Sequence, residues 1–136
     1  MPECLFCKII AGEIPSYKVY EDADTLAFLD INPNNYGHTL VIPKDHFENI
    51  YTTPDETLCK TMIVVRKLAT AIRNGMEADG INVTINNEPA AGQVVDHLHI
   101  HIIPRHEGDW ETKSQHLKYK DDQAIETIEK IKAALQ

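Results

Sequence analysis

The chain reads as an α+β domain built on a mostly antiparallel sheet. Short apolar runs separated by turn residues follow one another. Two amphipathic segments are inserted among them rather than alternating with them. One run, Leu98-His99-Ile100-His101-Ile102, switches polar and apolar residues with the period of two that a strand requires. A length of 136 residues suits a single domain over residues 1–136, without repeats or linker-like stretches. The composition, 43% hydrophobic and 25% charged, excludes a disordered chain.

Each element has a local reason. Val19-Tyr20 and Leu26-Ala27-Phe28-Leu29 flank the acidic turn Glu21-Asp22-Ala23-Asp24, which predicts a hairpin over residues 17–29. Residues 30–37 are dense in turn formers and predict a loop, followed by a strand over 38–42 that Pro43 stops. A helix is expected from Pro54 to about Asn74. Thr53 would cap it, Glu56 would complete a capping box, and Gly75 would end it. Its core stripe is Leu58, Met62, Val65, Leu68, Ala69 and Ile72. Residues 81–85 predict a strand, 86–92 a loop and 94–103 a longer strand before Pro104. A last helix over 121–135 is expected from Ile125, Ile128, Ile131 and Leu135.

Charge narrows the function. Thirteen Lys and Arg against 21 Asp and Glu leave a net charge of −8, a poor match for a nucleic-acid backbone. One small nucleotide is still within reach, because a local site needs only a few aimed donors. No apolar run approaches the roughly 18–20 residues that cross a bilayer, so no membrane partner is expected. Met1-Pro2-Glu3-Cys4 places an acid where a secretory signal carries basic residues. With three cysteines, two of them at Cys4 and Cys7, a reducing, cytoplasmic setting is expected.

The informative stretch is Asp96-His97-Leu98-His99-Ile100-His101-Ile102-Ile103-Pro104-Arg105. Alternation puts His97, His99 and His101 on one face of a strand and Leu98, Ile100 and Ile102 on the other. A His-rich polar face is one reading of this row. A three-histidine catalytic zinc is another, but His97 and His101 would start roughly 13 Å apart along a strand. Nitrogens sharing one zinc stand only about 3.5 Å apart. The third reading is a nucleophilic histidine with histidine neighbours. Neutral imidazole attacks phosphorus well when one ring nitrogen is free and the other is held as a donor. His99, flanked on both sides, suits that role.

His97-Leu98-His99-Ile100-His101-Ile102-Ile103 resembles the signature of the histidine triad nucleotide-binding proteins, His-φ-His-φ-His-φ-φ with φ apolar. Residues 4–15, Gly37-His38-Thr39-Leu40-Val41-Ile42-Pro43-Lys44-Asp45-His46 and Ala91-Gly92-Gln93 are similar to further motifs of its bacterial branch. The resemblance implies a five-stranded sheet with two helices and a homodimer joined into ten strands. It further implies nucleotidyl transfer from a purine nucleoside phosphoramidate or mixed phosphate. Alternatives in the same family are dinucleoside polyphosphate hydrolysis and a binding module with vestigial activity. By motif position His99 would be the nucleophile, His101 a phosphate contact and His38 a supporting residue. Asp30 and Ile31 would hold ribose and base. Asn86, Gly92, Gln93 and Val94 would line the phosphate. Val94 stands where many relatives carry serine, so only its backbone N–H remains for that contact.

Cys4 and Cys7 have the spacing of a zinc pair. His46 and His97 are the partners expected to close a structural site; they also resemble zinc ligands of the related galactose phosphate uridylyltransferases. An unmetallated thiol pair and a redox pair are the other readings. No organic cofactor is expected. Cys59 falls near the helix stripe and is expected to be buried. His106 and His116 are expected in solvent, Trp110 in the core or a dimer contact, and residues 111–122 on a solvent face. Lys44 and Arg105 are open to either a phosphate or a surface role.

Overall fold

The computed structural model describes residues 3–112 and 116–135. Its elements are α1 (Leu5–Ile10), β1 (Lys18–Glu21), β2 (Thr25–Leu29), β3 (Thr39–Pro43), α2 (Asp55–Gly75), β4 (Gly80–Ile85), β5 (Ile100–Arg105) and α3 (Gln123–Ala134). The strands form one antiparallel sheet in the order β1-β2-β3-β5-β4. The expected fold class holds, with one more helix than anticipated.

That additional helix, α1, explains the strand sequences. Every residue of β2 and β3 is buried, because both faces of the sheet are covered. Ala27, Leu29 and Val41 pack against Val64, Leu68 and Ile72 of α2 and Ile131 of α3. Leu26, Phe28, Leu40 and Ile42 point the other way and pack against Phe6 and Ile9 of α1.

Several local expectations are corrected. Thr53 does not cap α2: it is buried, and its hydroxyl donates to the Asn49 carbonyl at 2.8 Å. Glu56 pairs with Lys60 at 3.3 Å instead of closing a box. Gly75 is the last residue of α2, as expected, and a Cβ there would stand 2.6 Å from the Lys130 carbonyl oxygen of α3. The left-handed residue past the helix end is Glu77, at φ 52°. The buried stripe is shifted toward Thr61, Val64 and Ala71, with Met62 exposed; Ile125 of α3 is exposed as well. Cys59 is exposed rather than buried.

The strand expected over 94–103 begins only at Ile100 and runs through Pro104. β3 pairs with residues 100–102 alone, so the missing N–H of Pro104 interrupts no ladder on that side. Residues 93–99 approach the sheet as a loop. Beyond β5, Trp110 is exposed, with the Arg105 guanidinium 5.9 Å from its ring centroid, and so is not a core residue. His106 and His116 are exposed as expected. Residues 1–2, 113–115 and 136 lie outside the described residues, including part of the expected solvent face over 111–122.

Candidate functional site

Two constellations meet at the loop before β5. In the first, Cys4 caps α1, Cys7 lies on its next turn, His46 follows β3 and His97 stands in the 93–99 loop. The Cys7 sulfur lies 3.4 Å from His46 Nδ1 and 3.6 Å from His97 Nδ1. Cys4 Sγ is 3.5 Å from His97 Nδ1, and the two Nδ1 atoms are 3.2 Å apart. Zinc–ligand bond lengths in a tetrahedron require edges of roughly 3.3 Å between nitrogens and 3.5–3.6 Å between sulfur and nitrogen. These four distances match such edges, and all four ligand atoms lie within 4.8 Å of one another, so the side chains could hold a zinc ion. The His97 ring is oriented as a ligand, since its Nε2–H donates to the Pro43 carbonyl at 2.8 Å and leaves the Nδ1 lone pair facing the sulfurs. Burial pushes His97 down to about 4, against the opposing pull of that hydrogen bond, so the ring is neutral as a ligand must be.

The same residue anchors the second constellation. The His97 carbonyl accepts the Nδ1–H of His99 at 2.7 Å, fixing the tautomer whose Nε2 carries the lone pair. Burial holds His99 below the ordinary histidine value; the His97 hydrogen bond and the Asp30 charge oppose it. A chain of hydrogen bonds likewise fixes His101. The backbone N–H of Asn34 donates to His38 Nδ1 at 3.1 Å, so the proton of neutral His38 sits on Nε2. His38 Nε2 donates in turn to His101 Nδ1 at 2.9 Å, so the His101 proton sits on Nε2. That Nε2–H is buried and has no acceptor among the described residues. Burial drives His38 to about 3 and His101 to about 4, which keeps both rings neutral.

Two straps hold this chain. Leu117 donates to the Pro33 carbonyl at 2.7 Å, and the Gly37 N–H donates to the Tyr119 hydroxyl at 2.9 Å. Gly37 has φ 102°, and a Cβ there would stand 2.8 Å from Met76 Cγ, so no other residue fits this corner.

His99 and His101 border a cavity of about 360 Å³ whose walls are mainly apolar, with Leu5, Phe6, Phe28 and Leu40 among them. Asp30, Ile31 and Val94 also line it. Burial raises the Asp30 carboxyl, and an N–H from Asn32 partly offsets this. Asn86, Gly92 and Gln93 do not line this cavity. The Gln93 side chain is buried and ties three loop segments together: it accepts from the Glu88 N–H and donates to the Glu48 and Val95 carbonyls. Lys44 is engaged by Glu21 at 2.8 Å and Arg105 by Asn82 at 2.8 Å.

The three histidines of the row do not converge on one point. His97 joins the cysteines, whereas His101 joins His38 and Asp30. Phe6 is not singled out by the sequence, yet its ring lies edge-on to both His97 and His99, at 6.0 and 5.1 Å between centroids. Asn34 and Pro43 also escape a sequence reading, because each acts through its backbone. Phe6 alone leaves a signal, an aromatic between the paired cysteines.

The fold and site define a class: a five-stranded α+β domain with a histidine row that runs from a loop into its last strand, beside a Cys2His2 cluster. The HIT domain model matches residues 11–108, and the chain belongs to that family. It is 47% identical over 106 residues to adenosine 5′-monophosphoramidase HNT1 of Candida albicans, covering 75% of this chain and 70% of that protein. A Hit-like protein from Bartonella henselae superposes with a TM-score of 0.90 at 44% identity, covering 99% of this chain and 98% of that one. A zinc-bound histidine triad family protein from Mycobacterium smegmatis gives 0.85 at 40% identity, covering 98% and 93%. No helix among the described residues is long and apolar enough to cross a membrane.

Proposed function

We propose that this chain is a nucleotidyl hydrolase acting on purine nucleoside 5′-phosphoramidates through a nucleotidyl-histidine. The observation that carries the reading is the pair of fixed tautomers: His99 Nε2 bears a lone pair, and His101 Nε2–H is a buried donor lacking an acceptor among the described residues. A phosphoryl group between them would be attacked by the first and would satisfy the second. The apolar cavity suits a base, and Asp30 at its edge can accept from ribose hydroxyls.

His99 Nε2 attacks the α-phosphorus and forms an N–P bond. The bond from phosphorus to the leaving amine breaks, and its electron pair stays on the amine nitrogen, which takes a proton from solvent. Water then attacks phosphorus and gives a proton to solvent, the bond to Nε2 breaks with its pair returning to the ring, and the nucleoside monophosphate leaves. His101 donates to a phosphoryl oxygen throughout. Cys4, Cys7, His46 and His97 would hold a structural zinc, which pins the His97 carbonyl against His99. The monophosphoramidase from Candida albicans and the zinc-bound relative support the two halves of this reading.

We place the reaction in a cytoplasmic homodimer. β4 is an edge strand with Val83 exposed, and Ile63 of α2 is exposed too, as a joined ten-stranded sheet would require. The test is AMP release from adenosine 5′-phosphoramidate. Wild-type protein should release it, and His99→Ala should lose at least about 1,000-fold while still binding AMP. Release by His99→Ala at the wild-type rate would refute the nucleophile.

A further inference from the structure

A second concavity adjoins the catalytic cavity. It has a volume of about 580 Å³ and shares three wall residues, Leu5, Val94 and Val95, with the cavity that His99 borders. Val94 is 88% exposed and Leu5 43% exposed, an open apolar surface beside a reacting centre. The far wall is different: Glu3 and Asp96, both exposed carboxylates, border it beside Cys4 and His46.

A chain with net charge −8 reinforces the local field of those two acids. A nucleotide accounts for the first cavity and leaves the second unused. A group attached to the same phosphorus has the shared wall as its way out. We propose that this groove is the leaving-group subsite. It takes an amine whose apolar arm lies on Leu5, Val94 and Val95 and ends in a second, cationic group facing Glu3 and Asp96. The substrate class is then an N-alkyl phosphoramidate of a nucleoside monophosphate, with a distal ammonium on the alkyl arm. Val94 lines both cavities and keeps their shared wall apolar. The inference rests on the nucleotidyl hydrolase reading and specifies its leaving group.

The experiment compares kcat/KM for four adenosine 5′-phosphoramidates: unsubstituted, N-pentyl, N-aminopentyl and N-carboxybutyl. The aminopentyl compound should be cleaved fastest of the three alkyl amides and the carboxybutyl slowest. A spread of roughly three- to ten-fold is expected from exposed ion pairs, shrinking at high salt. The double variant Glu3→Gln, Asp96→Asn should collapse that spread while leaving turnover of the unsubstituted compound unchanged. Equal kcat/KM for the three alkyl amides, with the unsubstituted compound turned over, overturns the subsite alone. A spread that survives in the double variant does the same. No turnover of any of the four overturns the underlying hydrolase reading.

Discussion

The neutral pair His38–His101 makes a quantitative demand on stability. Burial depresses the folded-state values to about 3 for His38 and about 4 for His101, whereas both would titrate near 6.5 in the unfolded chain. His101 faces His38 and His99, with ring centroids 5.2 and 5.1 Å away, and His38 lies 3.8 Å from Asp30 and also feels Arg105 and His116. Because the folded values are lowered, the stabilisation is present above pH 6.5 and is lost as pH falls toward the folded values. Between pH 7 and pH 5 each ring costs about 2 kcal/mol, so the pair costs about 4 kcal/mol. Urea unfolding at the two pH values measures it, provided the m-value is constant. His101→Gln should reduce the loss by about 2 kcal/mol, which separates this pair from protonation at the cysteine–histidine cluster. A variant with the same pH dependence as the wild type would refute the neutral-pair reasoning.

Two further outcomes follow from packing and from the metal cluster. Gly75→Ala should lower stability by about 1–2 kcal/mol despite alanine's helix propensity, because the added methyl meets backbone of α3 rather than a flexible side chain; chemical denaturation reads it, and a stabilised variant would refute the close contact. Purified protein should carry one zinc per chain by elemental analysis, and its removal by a chelator should lower Tm by at least about 5 °C, whereas an unchanged Tm would refute a structural role.

Much of this architecture is legible from residue patterns. The hairpin, β3, β4 and both long helices follow from turn residues and period because each repeats a local rule over several residues. Helix α1 does not, since six residues give too little period and its Cys4 cap looks like a metal motif alone. Thr53 misleads for another reason: it carries helix-cap chemistry, but its hydroxyl is taken by the Asn49 carbonyl in the preceding turn. The site divides in the same way. The residue pattern singles out His99 and His101, and the four side chains of the metal cluster are readable as residue types. The atoms that set the tautomers are the Asn34 N–H and the His97 and Pro43 carbonyls. Backbone atoms occur at every position, so no residue pattern marks them.

The histidine row also differs in what could replace each ring. His101 is used as an acceptor at one end and a donor at the other, and a glutamine amide offers both. His97 turns a lone pair toward the two cysteine sulfurs while its other nitrogen donates, a combination no amide supplies to a metal. At His99 the proposed reaction sets a stricter requirement still, for a basic nitrogen that can form and then release a bond to phosphorus. The third position can therefore drift without loss of the site's polarity, whereas the proposed chemistry admits no substitute at the second.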